Sequence, residues 1–124
     1  MRGSEHTHAI PIAPENVFTA VSNERRRRVV VSLAQSDDAV TVSELAVEIA
    51  AMEELIDPSE VNSEQRTRIY ISLVQNHLGQ LDSLGVVAYD DRAKQLRPTD
   101  ATEPIAQHIR KIMTACYTPE EVSE

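Results

Sequence analysis

The sequence predicts a mainly α-helical protein with one small β-hairpin. Hydrophobic residues make up 41% of the chain but aromatic residues only 3%, so the core must be built from Val, Ile, Leu and Ala, which suits packed helices. Apolar residues recur at helical spacing along most of the chain. The clear exception is the polar turn Asp90-Asp91-Arg92-Ala93, which lies between two β-prone segments. A length of 124 residues fits one compact domain with a short arm and an appended helix.

The first helix is predicted over residues 15–35, because apolar side chains there follow helical spacing. Ser22 and Asn23 could form an internal cap or a kink in it. A polar turn at residues 35–38 then leads to a short β-prone stretch at residues 39–42.

The second helix is predicted to begin with a capping box, in which the Thr41 hydroxyl and the Glu44 carboxylate bind free amide groups. The segment Asp57-Pro58-Ser59-Glu60 combines a capping side chain, a proline at the first helical position and a glutamate at the third. It predicts a short helical turn in the connection to the next helix.

The third helix is the longest predicted element. Asn62 and Gln65 can cap its start, an apolar stripe follows, and Gly85 ends it. Gly79 interrupts this helix, which indicates a kink, a close helix contact or simple tolerance of a glycine.

The hairpin is predicted from strands at residues 86–89 and 94–97, the second of which ends at Pro98. Thr102-Glu103-Pro104 then opens a final amphipathic helix. Its apolar face consists of Ile105, Ile109, Ile112, Met113 and Cys116.

The order helix, short strand, helix, helix, hairpin is that of a winged helix-turn-helix domain, here with a C-terminal amphipathic helix. The predicted division is a flexible arm (1–13), the winged domain (14–100), a dimerisation helix (101–117) and a disordered acidic tail (118–124). Met1-Arg2-Gly3-Ser4 is similar to the start of an expression leader.

The charge balance at first argues against a nucleic-acid partner, because the net charge is −8 and DNA affinity depends on Lys and Arg. The acidic residues are concentrated, however: residues 37–64 contain nine of them and no Lys or Arg. An acidic face and a basic face can therefore coexist. Two lysines against twenty acidic residues resemble the cytoplasmic proteins of salt-accumulating halophilic archaea, with an ordinary acidic mesophilic protein as the alternative.

The sequence also indicates several classes of protein to which we do not expect this chain to belong. No apolar run is long enough to span a bilayer, and the single cysteine cannot form an intrachain disulfide or a multi-cysteine zinc site, so we expect a cytoplasmic protein with no membrane or metal partner. The sequence has no paired acid and base, no glycine-rich phosphate loop and no nucleophile motif, so we expect neither an enzyme nor a bound cofactor. His77 is interpreted as a packed, hydrogen-bonded helix residue rather than a ligand or catalyst.

Two segments resemble the ArsR-type winged-helix regulators. These are SNERRRR at residues 22–28 and VQNHLGQLDSLGVV at residues 74–87, the second being similar to the end of that family's recognition helix. Residues 41–50 and 63–73 look most like an uncharacterised haloarchaeal winged-helix family, and the whole resemblance covers residues 15–100. It implies DNA binding, but not metal sensing, because the second helix has no cysteine pair.

The candidate DNA-binding residues are the polar side chains that lie off the apolar stripe of the third helix, together with the charged tip of the hairpin. They are Arg66, Arg68, Ser72, Gln75, Asn76, Arg92 and Lys94. An ordinary solvated helix face and a hairpin tip charged for solubility are the alternatives. The run 25–28 could contact phosphate, but four consecutive arginines point around the whole helix, so some must pair with local carboxylates and at least two should be solvated or structural.

These residues predict a dimeric transcriptional regulator that binds double-stranded DNA through the third helix. The apolar face of the last helix, including Cys116, is the predicted homodimer surface, unless it folds back on its own domain. The alternative function is a winged-helix protein-interaction module that uses its acidic face and does not bind DNA.

Overall fold

A computed structural model of the protein describes residues 9–116. The predictions made for residues 1–8 and for the acidic tail at 118–124 lie outside the described residues. None of the described helices is long and apolar enough to cross a membrane.

The N-terminal part of the domain consists of two helices where one was predicted over residues 15–35. Helix α1 spans Pro14–Val21 and α2 spans Glu24–Ala34. Asn23 separates them in an extended conformation, and its side-chain oxygen accepts a hydrogen bond from the Arg26 backbone N–H at 3.1 Å. The helix predicted over residues 15–35 is therefore divided in two, at the position of Ser22 and Asn23 where an internal cap or kink was anticipated.

The capping boxes predicted from the sequence are confirmed. Strand β1 (Val40–Thr41) leads directly into α3 (Val42–Glu54), and the side chains of Thr41 and Glu44 each accept from the other residue's backbone N–H at 3.0 Å. A 3₁₀ turn at Pro58–Glu60 begins in the same way at Asp57. These local bonds determine where each element starts.

The long helix is interrupted at a place that the sequence does not indicate. It comprises α4 (Ser63–Ser72), a π-helical turn at Leu73–His77 and α5 (Leu78–Ser83). A Cβ atom at Gly79 would meet no other atom within 4 Å, so this glycine makes no close helix contact and is simply tolerated. Gly85 follows the helix with a φ of 85°, a left-handed conformation that favours glycine.

The predicted hairpin is confirmed, with a shift of one residue. Strands β2 (Val87–Asp90) and β3 (Gln95–Pro98) pair antiparallel, and β1 joins the other edge of β3 to give the order β1-β3-β2. Lys94, predicted to start the second strand, lies in the turn with a φ of 54°. We call the β2–β3 hairpin the wing.

The last helix, α6, spans Thr102–Ala115 and packs against α2. Buried aliphatic side chains from the helices and the sheet form one core, as the composition predicts. The predicted fold class is confirmed: a mainly α-helical domain with a small β-hairpin wing and a C-terminal amphipathic helix.

Candidate nucleic-acid interface

The long helix follows α3 and packs against it through α4, with one side buried and the other in solvent. Ile69, Leu73, Leu78 and Leu81 are at most 5% exposed and form the buried side. On the other side Arg68, Ile71 and Gln75 are exposed and are spaced three and four residues apart, which places them on one face. We call the exposed stripe formed by Arg68, Ile71 and Gln75 the outer face.

Two further polar candidates on the long helix differ in position. Asn76 is exposed next to Gln75 in the π-helical turn, and neither side-chain amide has a hydrogen-bond partner among the described residues. Arg66 is exposed as well, but it precedes the buried Ile69 by three residues and therefore projects from the opposite side to Arg68. The structure thus groups the amides with Arg68 and not with Arg66.

Ser72 does not belong to the outer face. Its hydroxyl oxygen is half-buried and accepts a hydrogen bond from Arg25 Nη1 at 3.0 Å. The same guanidinium donates to both carboxylate oxygens of Glu53, at 2.7 and 2.6 Å. These bonds hold the pKa of Arg25 above its usual value, despite burial that acts to lower it. The predicted role of Ser72 in base contact is corrected to one in which it links α4 to α2.

The other arginines of the run 25–28 also have local partners. Arg26 donates to Gln80 Oε1 at 3.2 Å and to the backbone carbonyls of Thr19 and Ala20. Arg27 donates to the Val21 carbonyl, and Arg28 pairs with Glu24 one turn away. All four are therefore engaged inside the domain, in agreement with the expectation that at least two would be solvated or structural.

The turn of the wing separates its two cationic candidates. Lys94 Nζ donates to the Asp91 carbonyl at 2.7 Å and to its carboxylate at 2.9 Å. The hydrogen bonds from Lys94 and from the Tyr89 hydroxyl lower the pKa of Asp91. Arg92 is exposed, and no described residue pairs with its guanidinium. Arg92 can reach a partner molecule directly, whereas Lys94 would first have to leave Asp91.

Arg68 makes only a weak contact with the described part of its own domain, so its guanidinium is available to an external partner. Its guanidinium lies 3.9 Å from the Glu64 carboxylate, and the two side chains are 63% and 84% exposed. An exposed pair at that distance is worth less than about 0.5 kcal/mol. Arg68 is therefore free to exchange this contact for a stronger one.

His77 lies on the buried side of the long helix and is a packed residue, as predicted, but within residues 9–116 the hydrogen bond expected of it is not formed at Nδ1. It is 9% exposed, and its Nδ1 atom has no hydrogen-bond partner among the described residues. Burial, followed by the nearby charges of Arg26 and Arg25, lowers the pKa of its imidazole. His77 is therefore neutral in the folded protein at neutral pH.

The predicted dimer surface on α6 is divided by the structure. Ile105 and Ile109 are 1% and 3% exposed, because they pack into the core of their own domain. Ile112 and Met113 are 61% and 66% exposed, and Cys116 is exposed too. Two members of the predicted stripe thus fold back on the domain, which was the alternative to dimerisation, and three remain accessible.

Beside these residues, α1 and α6 form an apolar groove of about 620 Å³. Phe18, which is 70% exposed, lies on its α1 side, and Ile112 and Met113 lie on its α6 side. Phe18 falls within the first predicted helix, over residues 15–35, but its sequence position does not show that it faces a groove. Its spacing alone could not reveal this, because α1 breaks away from α2 at Asn23.

Within residues 9–116 no cluster of three His, Cys, Asp or Glu side chains could hold a metal ion. No curated protein and no solved structure matches this chain. A family described as a domain of unknown function, DUF7344, matches residues 18–97, from α1 to the second strand of the wing. Because this match covers more than half of the chain, the protein belongs to the DUF7344 family.

Proposed function

We propose that this protein is a cytoplasmic transcriptional regulator that binds double-stranded DNA as a homodimer and acts without a cofactor. The outer face of the long helix is the observation that carries the proposal. On this face the Arg68 guanidinium and the unpartnered Gln75 amide lie along one side of the helix. The helix follows α3 and precedes the wing. A helix in this position can enter the major groove while the wing lies beside it.

The side chains of the interface divide between base reading and phosphate binding. Gln75 and Asn76 have free amides that can form paired hydrogen bonds with adenine. Arg68, Arg66 and Arg92 are exposed cations that suit phosphate oxygens. Arg66 projects from another side of the helix than Gln75, so it would contact the backbone next to the groove and not the bases that Gln75 reads.

DNA selection from a random pool tests this division of labour. We expect Gln75→Ala and Asn76→Ala to change the selected sequence, with a loss of about 1 to 3 kcal/mol on the wild-type site. Arg68→Ala and Arg92→Ala should weaken binding to all sequences alike and reduce the salt dependence of log Kd by about one unit each. Arg28→Ala is the matched control, because Arg28 pairs with Glu24 and should leave both properties unchanged.

The result that contradicts the proposal is equally specific. If the two amide variants select the same sequence with wild-type affinity, the long helix does not read bases through them. If the wild-type protein selects no sequence and binds no duplex at low salt, it is not a DNA-binding regulator.

The homodimer would form through the apolar groove and not through the complete stripe of α6. Phe18, Ile112 and Met113 are large, exposed and close to Cys116 around this groove. Burying their side chains against a second copy is worth about 1.5 to 3 kcal/mol each when burial is complete. An isologous contact would use the same groove on both copies.

Point variants in the whole chain test this dimer better than removal of α6, because α6 supplies Ile105 and Ile109 to the core. Ile112→Glu combined with Met113→Glu should convert a dimer to a monomer in light scattering. Thr114→Glu, an exposed change on the same helix, should leave the dimer intact. A monomeric wild-type protein, or a double variant that stays dimeric, would contradict the assignment.

A second candidate function is a protein-interaction module that does not bind DNA. Acidic groups close to the proposed interface favour it: Glu64 lies beside Arg68, and Asp91 holds Lys94. Exposed Glu44 and Glu48 on α3 add to the negative surface. The DNA selection described above separates the two functions, since only the regulator recovers a defined sequence.

A further inference from the structure

An apolar side chain lies at the centre of the otherwise polar outer face. Ile71 is 47% exposed, three residues after Arg68 and four before Gln75. Its neighbours Ile69 and Leu73 are buried on the opposite side of the helix, and Ile71 does not belong to the hydrophobic core. The side chain therefore contributes little to the packing of its own domain.

Helix propensity does not explain this residue either. A β-branched side chain is a weaker helix former than Ala, Lys or Glu, so an exposed Ile in α4 lowers the local stability of the helix slightly. A contact with an apolar group outside the domain would give the side chain a role. In the major groove of DNA, the apolar group that a base presents is the C5-methyl group of thymine.

We propose that Ile71 contacts a thymine methyl group and makes thymine the preferred base at one position of the DNA site. This inference rests on the proposed function, because it assumes that the outer face lies in the major groove. Its geometry follows from the helix: residues 71 and 75 are separated by about 6 Å along the axis. Since successive base pairs are about 3.4 Å apart, the thymine should lie within about two base pairs of the adenine that Gln75 reads.

Replacing thymine by deoxyuridine tests the contact, because this change removes the methyl group and preserves the O4 acceptor and base pairing. Each thymine of the selected site is replaced in turn, and Kd is measured for the wild type and for Ile71→Ala. We expect about four-fold weaker binding of the wild type at one thymine, as for the loss of one buried methyl group. Ile71→Ala should bind the two duplexes equally, and Ile71→Val should retain part of the difference.

Thr67→Ala is the matched control, because Thr67 is exposed one turn before Ile71 and also carries a methyl group. This variant should keep the wild-type sensitivity to deoxyuridine. Three results would overturn the inference: no thymine shows sensitivity, Ile71→Ala remains sensitive, or Thr67→Ala loses the sensitivity. In each of them the protein still binds its site, so the proposed function stands; a wild-type protein that binds no duplex refutes both.

Discussion

At the scale of single residues, Gly85 and Gly79 differ in whether the fold requires a glycine. Gly85 has a φ of 85°, and a Cβ there would lie 3.2 Å from Ile12 Cγ2, whereas a Cβ at Gly79 would meet nothing within 4 Å. We expect Gly85→Ala to destabilise the protein by about 1 to 2 kcal/mol through backbone strain and crowding. Gly79→Ala should stabilise it by up to about 1 kcal/mol, because alanine is the better helix former.

Urea unfolding of the two glycine variants measures both changes. Each variant serves as the control for the other, because both add one methyl group to the same half of the chain. Equal unfolding midpoints for the two variants would show that the left-handed conformation at Gly85 is not required.

His77 gives the protein a pH-dependent stability. Burial lowers the pKa of its imidazole in the folded state, whereas in the unfolded chain the pKa is near the ordinary histidine value of 6.5. Below pH 6.5 the unfolded state therefore binds more protons than the folded state, and the free energy of unfolding falls as the pH decreases. Above that pH the imidazole is neutral in both states, so His77 no longer makes the free energy of unfolding depend on pH.

Unfolding free energies measured between about pH 7.5 and 5.5 test this, because most carboxylates titrate at lower pH. His77→Gln should flatten the dependence over that interval. Thr114→Gln is the control, since Thr114 is exposed on α6 and its replacement removes no titratable group, and it should leave the slope unchanged. An unchanged slope in the His77 variant would assign the dependence to other groups.

At the scale of the elements, Arg25 connects three helices. From α2 it reaches Glu53 in α3 and Ser72 at the end of α4, and its side chain is 30% exposed. Arg25→Ala would leave the Glu53 carboxylate without this partner in a partly buried position. We expect a loss of about 2 kcal/mol, the size typical of hydrogen bonds to charged groups.

Arg28→Ala is the matched comparison, because Arg28 belongs to the same helix but pairs only with the exposed Glu24 one turn away. Its cost should be about 0.5 kcal/mol or less. Thermal or urea unfolding measures both variants. If they cost the same, the bridge between α2, α3 and α4 does not stabilise the domain.

The elements themselves show how far sequence reasoning reaches. Capping boxes at Thr41, Asp57 and Asn62 were predictable, because each depends on side chains within three residues of the helix start. The π-helical turn at 73–77 was not, since its residues have an ordinary helical pattern, with Leu73 and His77 buried as in a regular amphipathic helix.

The candidate site was also predictable only in part, because some of its contacts form only once the chain has folded. The outward position of Gln75 and Asn76 follows from the apolar stripe of the long helix. The roles of Ser72 and Lys94 do not, because their partners Arg25 and Asp91 are determined by tertiary contact and by the turn of the wing. The α6 stripe has a single helical period, but packing of α6 against α2 in the folded domain leaves Ile105 buried and Ile112 exposed.

At the scale of the whole molecule, added salt acts on folding and on DNA binding in opposite directions, because the net charge is −8 while the proposed phosphate contacts are made by arginines. Repulsion among like charges destabilises the compact state, so its screening by salt stabilises the fold. The attraction of Arg68 and Arg92 to phosphate is weakened by the same ions, because binding releases counterions from DNA. A protein with this charge distribution needs enough specific contacts to remain bound at the ionic strength that stabilises it.

We therefore expect the melting temperature to rise as KCl increases from about 0.1 to 1 M, a range over which the Debye length falls from about 10 to 3 Å. The exposed carboxylates of α3 should account for part of the rise, since Glu48 and Glu54 have no cationic partner among the described residues. Glu48→Gln combined with Glu54→Gln should raise the melting temperature at low salt and reduce its salt dependence. Thr114→Val, which leaves the charge unchanged, is the control and should keep the wild-type dependence. A wild-type melting temperature that does not change with KCl would show that charge repulsion is not significant in the folded state, and the acidic composition would then need an explanation other than adaptation to salt.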